Sequence, residues 1–144
     1  MKTKQPKYRF KHVMLLDDSE LDNFINEKII EASCFSEKVY VNSSGTSALE
    51  FLSNLVASGP IAKSIYPEVI FTDLNMPVMD GFQFIDKLKS VEGNLGQDCK
   101  LIILTSSVLP EDKIRAELVS KNVIFLNKPL TEEMLSSLYL SAVG

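Results

Sequence analysis

The feature of this sequence that most constrains its fold is the alternation of short apolar runs with segments of helical periodicity. An apolar run followed by a helical segment occurs five times, and this repetition is typical of βαβ units arranged around a parallel sheet. The predicted strands span residues 12–16, 38–41, 68–72, 100–104 and 123–126. Three of them are almost entirely apolar, as expected for strands that helices cover on both faces. We therefore predict an α/β fold with five parallel strands flanked by five helices.

The helices are predicted from apolar spacing and from capping residues. The first carries a stripe of apolar residues at helical spacing: Leu21, Phe24, Ile25, Ile29 and Ala32. The second and third are predicted over residues 46–57 and 82–89, and the fourth and fifth begin after Pro110 and Thr131. Segments 57–67 and 91–99 are predicted to be surface connections, because turn-forming residues interrupt the periodicity there.

Length, charge and cysteine spacing argue against a second domain, direct nucleic-acid binding, membrane insertion and a zinc site. The 144 residues, 45% hydrophobic and 24% charged, suit one domain over 1–144 with a basic lead-in over 1–10 and no output domain. The net charge of -4 gives no reason to expect direct nucleic-acid binding, and the apolar stretch 13–16 is too short for a signal peptide or membrane insertion. Cys34 and Cys99 lack the spacing of a zinc site, so we expect buried, reduced thiols in a cytoplasmic protein.

Polar residues stand at the ends of four of the predicted strands. Asp17 and Asp18 end the first strand, and Asp73 directly follows the third. Thr105 and Lys128 occupy the corresponding places after the fourth and fifth. Because the carboxyl ends of parallel strands share one edge of the sheet, we expect these five side chains to converge there.

This set of residue types suits phosphoryl chemistry. Three neighbouring carboxylates raise one another's pKa unless a cation compensates their charge. With only oxygen donors, the site favours Mg²⁺, and Mn²⁺ would also fit. Asp73 could then attack phosphorus as a carboxylate nucleophile, while Lys128 and the Thr105 hydroxyl contact phosphoryl oxygens.

Each of these residues also has a simpler explanation. The Asp17 and Asp18 pair could cap a helix, and Asp73 could be a turn residue after a strand. Thr105 could be an ordinary cap, and Lys128 could be a turn lysine. Their joint placement, with an acid pair, an acid, a hydroxyl and a lysine on four strand ends in that order, favours a phosphoryl site.

The motifs around these residues resemble those of response-regulator receiver domains, a family typified by the bacterial chemotaxis receiver protein. The resemblance spans nearly the whole chain and rests on four segments: VMLLDD at 13–18, FTDLNMPVMDG at 71–81, LTSS at 104–107 and LNKP at 126–129. It implies a flavodoxin-like (βα)5 three-layer sandwich with strand order 2-1-3-4-5, as in the chemotaxis protein. It also implies a cis bond between Lys128 and Pro129.

By position, the resemblance assigns a metal site and a phosphoacceptor. Asp73 looks like the phosphorylated aspartate and also like a ligand of the metal ion, and Asp18 looks like a direct Mg²⁺ ligand. Asp17 would hold metal-bound water, and Asn75 would offer its backbone carbonyl. The side chain of Asn75, two residues after the acceptor, stands where the family tunes hydrolysis of the acyl phosphate.

The resemblance also assigns residues to the conformational switch and to the rate of hydrolysis. Thr105 resembles the switch hydroxyl and Lys128 the phosphate-pairing lysine. Phe125 occupies the position of a rotating aromatic residue, where tyrosine is common, and a half-buried strand aromatic is an equally good explanation from sequence. Ser107, two residues after Thr105, occupies the other position that tunes hydrolysis.

The resemblance also implies partners. A sensor histidine kinase or a histidine phosphotransfer protein would supply the phosphoryl group, and an unknown downstream protein would receive the signal. We expect partner or homodimer contacts through the fourth helix, fifth strand and fifth helix, mainly within 111–140. The chain would catalyse only its own phosphorylation and dephosphorylation and would not otherwise be an enzyme.

Three alternatives remain at this stage. An aspartate-nucleophile phosphatase normally needs a second acid two residues after the nucleophile, where this chain has Asn75. A flavodoxin-type protein would need a Ser/Thr/Gly-rich phosphate loop after the first strand, where this chain has the acid pair. A pseudo-receiver would bind a partner without phosphorylation, and the complete set of acid, hydroxyl and lysine argues against it.

Overall fold

The sheet has the predicted number, direction and order of strands. The computed structural model describes residues 7–93, 99–119 and 123–143. Within them, every neighbouring pair of strands is parallel and the order is β2-β1-β3-β4-β5. The strands are β1 (Phe10–Leu16), β2 (Ser36–Asn42), β3 (Val69–Thr72), β4 (Lys100–Thr105) and β5 (Val123–Asn127). The five predicted strands and the strand order are therefore confirmed.

In the described part of the chain, six α-helices connect and follow these strands, one more than predicted. They are α1 (Glu20–Ala32), α2 (Gly45–Val56), α3 (Ala62–Ile65), α4 (Gly81–Glu92), α5 (Pro110–Val119) and α6 (Glu132–Val143). The predicted surface connection over 57–67 is mostly exposed, but it also contains a 3-10 turn at Gly59–Ile61 that leads into the single turn of α3. Pro60 is the second residue of the 3-10 turn, where its fixed φ is favourable, and the buried Ala62 anchors α3 to the core.

Helix α4 is longer than its predicted span. A capping box starts it, in which the Asp80 side chain accepts from Gln83 N–H and the Gln83 side chain accepts from Asp80 N–H. Apolar positions Phe84, Ile85 and Leu88 are fully buried and hold the helix against the sheet. The helix therefore continues to Glu92, and residues 94–98 of the predicted connection 91–99 lie outside the described residues.

Two hydrophobic cores lie on opposite faces of the sheet, which makes the fold a three-layer sandwich. Alternate residues of β1 point to each face: Met14 and Leu16 to one, Val13 and Leu15 to the other. The first core also includes residues of α2, α4 and α5, and the second includes residues of α1 and α6. Because both faces are covered, the central strands are apolar along almost their whole length.

The most buried face of α1 is not its apolar stripe. The helix forms as predicted, with the Ser19 side chain accepting from Asp22 N–H at its start. However, its buried residues are Asn23, Asn26 and Ile30, while Leu21, Phe24 and Ile25 are exposed. Asn23 is buried because its side-chain amide donates to the backbone oxygens of Asp17 and Asn42 and so joins the ends of two strands.

Two further predictions concern the state of the cysteines and insertion into a membrane. Cys34 and Cys99 are free thiols, as predicted, but both are half-buried rather than fully buried, because each lies in a connection just before a strand. Across the described parts of the chain, no helix has both the length and the apolar composition required to span a bilayer.

Candidate functional site

Three acids meet at the carboxyl edge of the sheet. Asp17 and Asp18 follow β1, and Asp73 follows the adjacent strand β3. Each offers a carboxylate oxygen, and these oxygens all lie within 4.8 Å of one another. Asp17 and Asp73 are buried, whereas Asp18 is exposed. Among the described residues, no other group of three acidic, histidine or cysteine side chains is this close.

Backbone donors fix one carboxylate oxygen of each buried acid. Ser19 N–H donates to Asp17 Oδ1 over 2.9 Å, and Leu74 N–H donates to Asp73 Oδ1 over 2.7 Å. These bonds leave the two Oδ2 atoms for other partners. The first turn of α1 and the loop after β3 therefore orient both acids toward a common centre.

Lys128 is the cation of this cluster. It follows β5, and its Nζ lies 2.6 Å from Asp17 Oδ2, 2.8 Å from Asp22 Oδ2 and 3.4 Å from Asp73 Oδ2. Burial alone would lower the pKa of Lys128, but hydrogen bonds to Asp17 and Asp22 outweigh burial and raise the pKa above its usual value. Lys128 therefore keeps its positive charge among three carboxylates.

The charge of the cluster is still incompletely balanced. Burial raises the pKa of Asp17, and the neighbouring charge of Asp73 adds to the increase. The hydrogen bonds from Lys128 and Ser19 N–H oppose the increase without cancelling it. A second positive charge would offset the remaining negative charge of the carboxylates. A set of carboxylate oxygens suits a hard divalent cation. The residues present thus fit Mg²⁺.

A glycine allows the start of α4 to pack against the backbone that follows β3. A Cβ atom on Gly81 would stand 2.3 Å from the backbone oxygen of Asp73, which is closer than any real contact. Gly81 N–H also donates to Leu74 O over 2.9 Å. Only glycine allows the start of α4 to approach this closely, and the approach holds the backbone of Asp73 in place.

The same loop contains a strained residue. Val78 has φ +70°, and Met79 N–H donates to Pro77 O over 2.8 Å, so that Val78 is the central residue of a γ-turn. The Val78 side chain is 97% exposed, while Met76 and Met79 on either side are buried. Burial of the two methionines keeps the loop in this strained conformation.

The loop after β4 is tied to its neighbours by side chains. Thr105 is fully buried, and its hydroxyl oxygen accepts from Ser107 N–H over 3.2 Å. The Ser107 hydroxyl donates to Asp112 Oδ2 over 2.5 Å, and the Asn127 amide donates to Ser107 O over 2.5 Å. Lys128 N–H donates to Thr105 O over 2.9 Å. Thr105 and Lys128 are therefore neighbours through their backbones.

The structure brings Asp17, Asp18, Asp73 and Lys128 together, and it joins Thr105 to this group through the backbone of Lys128. Asn75 lies exposed in the loop after Asp73, and Phe125 is half-buried on β5 against the core that includes α4 and α5. The peptide bond before Pro129 is cis, as the resemblance implied.

Comparison with known proteins shows the family. The family model of the response regulator receiver domain matches residues 13–139. This chain belongs to the response regulator receiver family. Receivers are signalling modules of two-component systems, in which they interact with histidine kinases or phosphotransfer proteins, and they bind Mg²⁺ at an acidic pocket. Asp17, Asp18 and Asp73 form such a pocket here.

Individual receivers resemble this one over most of their length. The two-component response regulator ARR17 of Arabidopsis thaliana is 32% identical over 121 residues, covering 83% of this chain and 76% of that protein. A response regulator structure from Cytophaga hutchinsonii has a TM-score of 0.81 and 32% identity, covering 92% of this chain and 96% of that one. A receiver structure from Dyadobacter fermentans has a TM-score of 0.78 and 27% identity, covering 92% and 98%.

Two residues of the polar network of this receiver were not predicted from its sequence. Asp22 contacts Lys128, and Asn127 binds the backbone of the loop after β4. Asp22 is the third residue of α1, in the first helical turn after the acid pair, and this position could have identified it. Asn127 offered no such signal, because its role depends on the path of a loop from another strand.

Proposed function

We propose that this protein accepts a phosphoryl group on Asp73 from the phosphohistidine of a kinase or phosphotransfer protein, in a Mg²⁺-dependent reaction. The observation that carries the proposal is the position of Lys128 Nζ, 3.4 Å from Asp73 Oδ2 and within an acid cluster that suits a divalent cation. A buried carboxylate beside a fixed ammonium and a metal site is arranged for phosphoryl transfer.

The residues around Asp73 would bind and orient the reactants. Asp18 would be a direct ligand of Mg²⁺, Asp17 would hold metal-bound water, and Asn75 would offer its backbone carbonyl. Mn²⁺ fits the same donors. When bound, the divalent cation supplies positive charge to the acids and to the phosphoryl oxygens.

The transfer step uses the acceptor oxygen that faces Lys128. Asp73 Oδ1 accepts from Leu74 N–H, so Oδ2 is the nucleophile. A bond forms between Oδ2 and phosphorus while the bond between phosphorus and the donor imidazole nitrogen breaks, and the nitrogen retains the electron pair. Lys128 would stay close to the transferred group and neutralise part of its charge. Water later hydrolyses the acyl phosphate, at a rate that the side chains of Asn75 and Ser107 would tune.

Exposed apolar residues lie on the elements that follow the carboxyl ends of β1, β3 and β4, and they suit a docked donor protein. They lie on α1 and on the loops after β3 and β4: Leu21, Phe24, Ile25, Val78, Val108 and Leu109. Side chains of this kind in one area indicate a protein contact rather than a site for a diffusible phosphate ester. This supports a protein phosphodonor, and a chain that catalyses only its own phosphorylation and dephosphorylation.

The signal would leave through the neighbouring face. Phosphorylation adds about -1.5 to -2 charge at pH 7 and would draw the Thr105 hydroxyl toward the site. That movement would break the bond from Ser107 N–H to Thr105 and loosen the loop before α5. Phe125 could then turn inward and change the surface formed by α5, β5 and α6, where Ile114 and Leu118 are exposed for a downstream partner or a second copy.

Intact mass spectrometry with acetyl phosphate tests the proposal. We expect the wild type to gain one phosphoryl group with Mg²⁺ or Mn²⁺ and none with a chelator, and Asp73→Asn to gain none. Asp86→Asn removes an exposed acid of α4 and is the matched control, expected to label as the wild type does. Equal labelling of Asp73→Asn would show that the acceptor lies elsewhere.

Amide NMR tests the switch. We expect addition of Mg²⁺ and beryllium fluoride, which imitates a phosphoryl group, to shift signals within 105–140 as well as at the acids. Changes confined to the acids would contradict the proposed path of the signal.

A further inference from the structure

The ion pair between Asp22 and Lys128 has no part in the function proposed above. Asp22 Oδ2 lies 2.8 Å from Lys128 Nζ, nearer than the acceptor oxygen at 3.4 Å. Asp22 does not belong to the group of carboxylates that could share a metal ion. Its side chain is 38% exposed, compared with 5% for Asp17, so it forms the outer wall of the Lys128 site.

The start of α1 explains why Asp22 is available to Lys128. An acid at the third position of a helix often reaches back to the N–H of the capping residue. Here Ser19 N–H already donates to Asp17 Oδ1, and only the Ser19 hydroxyl interacts with Asp22, through its N–H. The Asp22 carboxylate therefore points to the ammonium instead of closing a capping box.

Three carboxylates thus compete for one ammonium. Metal binding would engage Asp17, and phosphorylation would change Asp73 into an acyl phosphate. Among the described partners of Lys128, Asp22 alone would be left unchanged by both events. It would keep attracting Lys128 toward α1, and its negative charge would oppose the arrival of further negative charge at Asp73.

We propose that Asp22 is a positioning residue that restrains Lys128 against the first turn of α1. This restraint lowers the affinity of the site for a phosphoryl group. The inference rests on the proposed roles of Asp73 and Lys128. Asp22 would then affect the fraction of the protein that is phosphorylated at a given concentration of phosphodonor.

The simpler explanation is that Asp22 only stabilises α1 through the helix dipole. Glu20 offers a matched control, because it is an exposed acid in the same first turn. The ammonium of Lys128 contacts Asp17, Asp22 and Asp73 and not Glu20. Glu20→Gln therefore removes the same charge from the same helix terminus without releasing Lys128.

The test measures binding of beryllium fluoride by fluorine NMR at saturating Mg²⁺, so that any change in metal affinity does not contribute. We expect Asp22→Asn to bind it about threefold to tenfold more tightly than the wild type. Glu20→Gln should remain within about twofold of the wild type, because its charge is solvated and screened. Asp22→Glu keeps the charge and should also remain within about twofold.

The outcomes separate this inference from the proposed function. If the wild type does not bind beryllium fluoride, or if Asp73→Asn binds it equally, the proposed function fails. If the wild type binds it and Asp22→Asn binds no more tightly than Glu20→Gln, only the role of Asp22 is overturned. A gain for Asp22→Glu equal to that for Asp22→Asn would overturn it as well, because charge would not be the cause.

Discussion

The ammonium of Lys128 lies 2.6 Å from the carboxylate of Asp17, so a residue that follows an edge strand neutralises an acid that follows a central one. Asp17 was proposed above to hold metal-bound water, and the same ammonium contacts its Oδ2 atom. Lys128 balances part of the negative charge of the acids, and we expect a bound cation to compete with Lys128 for Asp17.

Replacement of Lys128 should reveal this competition. Lys128→Met leaves two buried carboxylates without a counter-ion, and we expect the free energy of unfolding in a chelator to fall by about 1–3 kcal/mol. Mg²⁺ should then stabilise the variant more than the wild type, because it no longer displaces an ammonium. Urea unfolding with and without Mg²⁺ measures both effects. Lys87→Met, which removes an exposed lysine of α4, is the control, and an equal response to Mg²⁺ in all three proteins would refute the competition.

Gly81 should tolerate no side chain. Gly81→Ala sets a methyl group against the backbone oxygen of Asp73, which cannot move without disturbing the acceptor. We expect the variant to lose about 2 kcal/mol of unfolding free energy and to accept phosphoryl groups more slowly from acetyl phosphate. Ser90→Ala at an exposed position of the same helix shows the effect of alanine alone. A Gly81→Ala protein with wild-type stability and labelling would mean that the contact is relieved at little cost.

Val78 should be replaceable by glycine with a gain in stability. A β-branched residue at φ +70° is strained, and the exposed side chain contributes little packing. The relief of strain should exceed the extra entropy of a glycine in the unfolded chain, for a gain of about 0.5–1 kcal/mol. Val108→Gly is the control, since Val108 is also exposed but has no positive φ, and it should be neutral or destabilising. Thermal unfolding of the two variants distinguishes them, and equal losses would argue against strain at Val78.

The buried carboxyl of Glu92 should make stability depend on pH. Burial raises the pKa of Glu92 above its ordinary value of 4.5, and the hydrogen bond from the Tyr66 hydroxyl, 2.6 Å long, offsets this only in part. Because the folded pKa is the higher one, the contribution of Glu92 is fully present below about pH 4.5 and declines as the pH rises through the folded pKa. Glu92→Gln should therefore gain stability relative to the wild type between about pH 4.5 and neutrality.

Urea unfolding across this pH range measures the effect of Glu92. Asp86→Asn, on the exposed face of the same helix, should follow the wild type at every pH. A constant difference between Glu92→Gln and the wild type would mean that the carboxyl does not titrate differently on folding.

The sheet could be predicted because its signal is local. Each central strand is buried on both faces and therefore reads as an apolar run in the sequence. The strand ends then place Asp17, Asp73 and Lys128 on one edge, whatever the details of the loops. The convergence of these three residues was thus predictable, and their contacts confirm it.

The surface of α1 could not be predicted in the same way. Apolar spacing correctly indicated a helix, but Phe24 and Ile25 face away from the core, and Asn23 and Asn26 are buried. The burial of Asn23 depends on backbone oxygens of two strands, which no local pattern reveals. Likewise, the helix turn of α3 depends on the burial of Ala62, which is a property of the assembled fold.

The two halves of the site, Asp17 and Lys128, are separated by 111 positions along the chain. A chain folded only as far as β3 would hold the three acids without Lys128, because this lysine follows β5. If Asp73 accepts a phosphoryl group as proposed, acceptance would depend on the last strand of the sheet, and we would expect only molecules with a complete sheet to be phosphorylated.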